Sequence, residues 1–153
     1  MLTTPVNKAK MDEWAVTVER IISKPPGSDE GFSAESIARE SRVSFAKFST
    51  WTIVCEQMLD TQFARVYFER AREELHRRGI SDAEITEMRR FAWLTAGWLN
   101  FECFLWDWCH LDEKDIYFAI EQQYSGGYIS GEERERRIEY AKRYDTAISS
   151  DGA

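Results

Sequence analysis

The sequence predicts an all-α protein, an irregular bundle of five to six helices around a central aromatic helical hairpin of about residues 44–78 and 82–110. Three observations carry this expectation. Apolar residues recur at three- and four-residue intervals along most of the chain, no segment alternates as a strand would, and small polar residues suited to helix N-caps stand ahead of the apolar runs. At 153 residues, 43% of them hydrophobic, the chain is long enough for one domain with a real core. The whole of 1–153 is read as that domain, with 1–4 and 149–153 as flexible ends.

The elements follow in order. Met11, Trp14, Ala15, Val18, Ile21 and Ile22 share one helical face, predicting an amphipathic helix from about Pro5 to Ser23. Pro25, Pro26 and Gly27 end it and open a loop. Ser33 is placed to cap a short helix through Arg39. From about Ser44 to Arg78 a stripe of Phe48, Trp51, Cys55, Met58, Leu59, Phe63, Val66, Tyr67 and Phe68 predicts one long helix. Gly79 stops it, and Ser81–Glu84 reads as a capping box for the next helix, about 82–110. Asp112 to Asp115 offers a further N-cap, and Ser130 to Glu133 a second capping box, for helices near 113–124 and 131–148. The short Gly79–Ser81 connection makes the two long helices antiparallel, so touching residues should have numbers summing to about 160.

Composition limits the function classes. Six Trp, six Tyr and nine Phe are a large aromatic complement, to be buried in the core or set aside for a partner. The net charge of −7 argues against sequence-independent phosphate binding. Residues 81–124 hold three basic groups (Arg89, Arg90, Lys114) against nine acids, an asymmetry that favours basic partners. The Phe91–Leu111 run matches a membrane span in length, but Asn100, Glu102, Asp107 and His110 interrupt it, and each central acid adds roughly 2.5–3.5 kcal/mol to insertion. No membrane partner is expected. The first ten residues lack an apolar signal core, and Cys55, Cys103 and Cys109 show no CxxC spacing, so reduced thiols in a cytoplasmic protein are expected. Cys55 and Cys103 fall at similar levels of the hairpin.

Several motifs could carry chemistry. Glu73-x-x-His76 and Asp107-x-x-His110 have the spacing of helical carboxylate metal sites, but the hairpin puts them at opposite ends. Cys103, Cys109 and His110 do not converge on one ion, because about 120° of helix separates the thiols. No metal or other cofactor is expected. Glu102, Asp107, Thr95 and Asn100 are polar groups set in an aromatic helix, where pairing with a neighbour is the ordinary outcome. No Ser/His/Asp set or glycine-rich phosphate loop points to an enzyme.

The best-formed motif is Ser36 to Trp51, which resembles a bacterial helix-turn-helix, with Val43–Ser44 at the turn. It implies that Arg42, Phe45, Lys47, Ser49 and Thr50 contact DNA. Arg42 stands where such turns carry Gly, and Arg39, Arg42 and Lys47 are a thin phosphate-binding set. The leading expectation is therefore a non-enzymatic protein-interaction domain, of the inhibitor, adaptor, antitoxin or immunity-factor kind. It would act through an acidic and aromatic surface of Trp93, Trp106, Asp107, Asp112, Glu113 and Asp115. Its partner would be another protein, with a homodimer expected as well. DNA regulation through 36–51 comes second, and a small-ligand or metal site among the aromatic helices third.

Overall fold

The computed structural model describes residues 3–59, 63–103 and 111–145; among them are seven α-helices and no strand. They are α1 (Pro5–Ile22), α2 (Ala34–Glu40), α3 (Thr50–Cys55), α4 (Arg65–Arg77), α5 (Asp82–Ala92), α6 (Glu113–Ser125) and α7 (Gly131–Lys142). A 3₁₀ turn, Glu56–Leu59, follows α3, and α5 runs directly into a π-helical segment, Trp93–Glu102. The expected irregular all-α bundle is the fold that forms. None of these helices is long and apolar enough to cross a membrane.

The cap signals act as local chemistry requires. Ser81 and Glu84 close their capping box at α5, and Asp112 and Asp115 close another at α6. Ser33 caps α2. The second predicted box is half made: the Ser130 hydroxyl accepts from Glu133 N, but the Glu133 carboxylate turns to Arg136 and Arg137. Thr4 caps α1, whose start is tied to the α6–α7 turn by Asn7 Nδ2 donating to Gly126 O at 2.7 Å.

The predicted helix 44–78 is corrected. Its first six residues, 44–49, are irregular and its middle is cut by the 3₁₀ turn, so α3 and α4 are separate helices. Local pattern alone favoured continuity, but tertiary partners cap a new helix start at Ala64. Ala64 N donates to the buried Glu40 carboxylate at 2.7 Å, and Arg65 N to Asp29 Oδ1 at 3.3 Å. Two carboxylates from remote segments thus meet the free amides of α4, where the helix dipole favours them. The hairpin spacing holds only beside the turn, where Arg72 and His76 reach Asp82. Beyond it Gln57 meets Arg89 and Trp51 meets Phe91, well short of the expected sum.

Residues 43–49 lie along α4 as a loop because two arginines hold their main chain. Arg70 donates through Nε and Nη2 to Val43 O. Arg78 Nη2 donates to Phe48 O at 2.7 Å and Phe45 O at 3.2 Å, and its Nη1 to Thr50 Oγ1 at 3.0 Å. The Arg78 side chain is 3% exposed, and its charge is met by Glu74, 6% exposed, at 3.0 Å. Ser49 then restarts helix by accepting from Thr52 N.

The predicted helix 82–110 is α-helical only to Ala92, with residues 104–110 outside the described set. The π segment packs against α1 and α6, and its wider spiral changes which carbonyls find partners within the segment. Two carbonyls near its start are met from elsewhere. Trp14 Nε1 donates to Trp93 O at 2.9 Å, and the buried Gln123 donates through Nε2 to Leu94 O at 2.8 Å. Arg137 fixes the orientation of that amide by donating to Gln123 Oε1. Gly97 is required by close approach: a Cβ there would stand 2.7 Å from Trp93 Cε3. Trp51, at the heart of the core with Phe91, Tyr140 and Tyr144 around it, sends its Nε1–H to Ala141 O at 2.9 Å.

Arg78→Met should therefore cost about 3–5 kcal/mol of folding stability in urea unfolding, because Glu74 and the loop carbonyls lose a buried donor together. A loss under about 1 kcal/mol would contradict the tethering role assigned to this guanidinium.

Candidate functional site

Two clefts open on either side of the Pro25–Pro26 turn, with volumes of about 370 Å³ and 690 Å³. Both lie in the range of small-ligand sites. Pro25, Pro26, Gln57 and Arg89 belong to both. The turn is held in place by Gly27, whose φ of 82° suits glycine and whose missing side chain leaves room for Phe68; a Cβ would fall 2.6 Å from Phe68 Cδ2.

Arg89 reaches the shared wall because α5, started by its capping box, buries Met88 and Ala92 and turns residue 89 toward α3 and the 3₁₀ turn. Its Nε donates to Gln57 Oε1 and its Nη2 to Lys24 O at 3.1 Å. Gln57 is itself buried and oriented, since its Nε2 donates to Val54 O at 2.9 Å. The adjacent Arg90, by contrast, is paired with Glu19 and Glu87. Among the described residues Arg89 has no carboxylate partner, so its charge is held by neutral acceptors alone. Burial pushes its pKa down, and no neighbouring acid offsets that cost.

The clefts differ in charge. The smaller has an apolar floor that includes Ile53, Val54, Phe68 and Leu75, and its rim carries Arg65, Arg72 and Arg89 against Glu69 and Asp82. There Arg72 grips Asp82 with two bonds, 2.8 and 2.7 Å, and His76 Nε2 adds a third contact at 2.7 Å. These bonds, Arg72 first and His76 second, hold the Asp82 carboxyl well below the usual carboxylate range. The larger cleft is bordered by Arg20, Lys24 and Arg89 with Glu30 as its acid, and by Ile21, Phe32 and Trp93. Trp93 is 8% exposed and stacks on Phe101 with ring centroids 5.2 Å apart. Its indole Nε1 is buried and has no hydrogen-bond partner among the described residues.

The residues singled out in the sequence fall elsewhere, with one exception. Trp93 lines the larger cleft but is buried, so it offers no ring to a flat protein surface. Trp106 and Asp107 lie outside the described residues, as do Cys109 and His110. Asp112, Glu113 and Asp115 sit together at the start of α6 in structural roles. Asp112 and Asp115 form the cap, and Glu113 accepts from Ser49 Oγ at 2.8 Å. Burial first, then Asp115, Asp112, Glu56 and Glu113, push the Cys55 thiol up, so it stays protonated. Cys55 is buried and Cys103 exposed, with no disulfide at either.

In 36–51 the second helix of the expected motif is absent as such. Phe45 is 2% exposed and Thr50 is 1% exposed, so neither can face a groove; Arg42 and Lys47 are exposed on an irregular backbone, and Ser49 is an N-cap. Glu73 pairs with Arg70 and His76 with Asp82, so their spacing serves ion pairs. Among the described residues no group of three His, Cys, Asp or Glu side chains could hold a metal ion. Among the described residues the exposed large apolar side chains are Val6, Val16, Phe48 and Phe118, on separate elements apart from the first two. Arg89, Gln57, Arg20 and Lys24 were missed by sequence reasoning; the only signal was Pro25–Pro26–Gly27 after an amphipathic helix, which marks a turn and not a wall. No family model matches the chain, and neither the curated proteins nor the solved structures provide a match.

The Asp82 cluster yields a pH dependence. Its folded-state pKa lies below the unfolded value, so the stability it contributes is complete above about pH 4 and is lost as pH falls from there through the folded value. Arg72→Met should lower stability at neutral pH, and its difference from the native protein should shrink in acid, measured by urea unfolding from about pH 7 to pH 2. A difference that stays constant across that window would contradict the assignment.

Proposed function

We propose that this chain is a helical binding domain for a small organic ligand, which it takes into the clefts beside Pro25–Pro26 with Arg89 as the shared anchor. The observation that carries the proposal is a half-buried guanidinium with no carboxylate partner among the described residues, set in the wall common to two cavities of ligand size. An ion pair would be the ordinary way to stabilise such a group. Here three of its five N–H donors are left over among the described residues after the bonds to the Gln57 amide oxygen and the Lys24 main-chain carbonyl, neutral acceptors that orient the fork without consuming its charge.

The surroundings favour a ligand over a broad docking surface for another protein. Trp93 contributes aromatic area inside a concavity, and of the acids expected to form a surface patch Asp112 and Asp115 are engaged in the α6 cap and Glu113 with Ser49. Pockets that combine apolar walls with a few fixed polar groups are the general form of small-ligand sites. The fold supplies both, with the walls on α1, α3 and α4 and the polar group on α5.

A thermal-shift screen of a small-molecule library, repeated on Arg89→Gln, tests the proposal. A genuine ligand present at about one hundred times its Kd should add about 2.7 kcal/mol and raise Tm by roughly 5–10 °C, and the shift should fall in the variant. A library without hits, or hits that shift both proteins equally, would refute it.

A further inference from the structure

Resting on the ligand-binding proposal, we infer that the ligand is an organic anion, a carboxylate or phosphate monoester on an aromatic body, bound in the larger cleft. The charged group sits on Arg89 with Lys24 and Arg20 beside it, and the body lies toward Ile21, Phe32 and Trp93.

The choice of cleft follows from which charges are already spent. In the smaller cleft Arg72 is bound to Asp82 by two hydrogen bonds, and Glu69 stands on the same rim, so an entering anion would meet carboxylates as well as guanidinium groups. In the larger cleft Arg20, Lys24 and Arg89 form no ion pair among the described residues, and Glu30 is the single acid lining it. A protein of net charge −7 that gathers three unpaired cations around one concavity creates a local positive field against its own background. Low-dielectric walls of proline and aromatic side chains strengthen that field for a ligand inside the cleft.

Arg89 keeps a donor over for such a ligand. Arg89 Nη1 makes no hydrogen bond among the described residues, and a guanidinium fork matches the paired oxygens of a carboxylate or phosphate. The apolar body follows from the remaining wall, where Trp93, Phe32 and Ile21 present surface that a bare inorganic anion would leave uncovered.

The test is calorimetric titration of the whole chain with 1-naphthyl phosphate, 1-naphthaleneacetate, the neutral 1-naphthaleneacetamide and inorganic phosphate. At least one aromatic anion should bind tenfold or more tightly than the amide, with affinity that weakens as salt rises. Which of the two binds better separates phosphate from carboxylate recognition. Arg89→Gln should raise the Kd of that anion by about ten- to a hundredfold while leaving the amide unchanged. Because Arg89 also bonds the Lys24 carbonyl, the exposed Arg20→Gln and Lys24→Met variants provide a second route that leaves those bonds in place; each should weaken the anion alone by about threefold or more. Equal binding of amide and anions would overturn the anion assignment while leaving the ligand-binding proposal standing. Inorganic phosphate binding as tightly as its naphthyl ester would overturn the aromatic part. No binding by any of the four would overturn the inference outright, and a hit from the wider thermal-shift library would then show that the cleft itself is still a site.

Discussion

At several places where a helix stops or changes its winding in this protein, backbone groups left over are met by side chains from distant segments. Trp14 donates to a carbonyl at the start of the π segment, Gln123 to the next one, Trp51 to the end of α7, and Arg70 and Arg78 to the loop before α3. Glu40 and Asp29 do the converse for the amides of α4. An aromatic interior excludes the water that would otherwise serve these groups, and an unmet carbonyl or amide there costs about 1–3 kcal/mol. With several such groups at stake against a total stability of about 5–15 kcal/mol, the packing arrangement is set as much by these bonds as by apolar area.

The same device explains the character of Arg89. Arg78 is buried with Glu74, so its charge is spent within the fold and only its spare donors hold the loop. Arg89 uses the same kind of neutral acceptors, a glutamine oxygen and a backbone carbonyl, but without a carboxylate among the described residues. One arginine is therefore a structural tether, and the other keeps an unspent positive charge beside open space. The difference lies in whether an acid stands three or four residues earlier on the buried side of the helix, as Glu74 does for Arg78.

Legibility in the sequence divides along the same line. Interactions within about four residues could be read: Ser33, Ser81, Asp112 and Ser130 cap helices as their spacing indicates, and α2, α5, α6 and α7 begin where those signals put them. Interactions across the chain could not. The break between α3 and α4 depends on Glu40 and Asp29, which lie 24 and 36 residues from the amides they meet. The loop at 44–49 depends on Arg78, some 30 residues away, and a stripe of Phe48, Trp51 and Cys55 looks the same whether one helix or two carry it. The clefts were invisible for the same reason. Their walls come from α1, the turn at Pro25–Pro26, the 3₁₀ turn and α5, and periodicity registers none of the encounters among them. Aromatic content did predict a large ring-filled core, but it could not say that Trp93 would be enclosed.

The direct measure of this account is hydrogen exchange at the indole nitrogens of Trp14 and Trp51, followed by ¹⁵N-resolved NMR under increasing urea. If these donors are locked onto main-chain carbonyls at the centre of the bundle, both protons exchange only through global unfolding, and their rates climb with urea along the slope of the equilibrium transition. Exchange within the first minutes in water, insensitive to urea, would mean that the bonds open independently of the fold and do not hold it together.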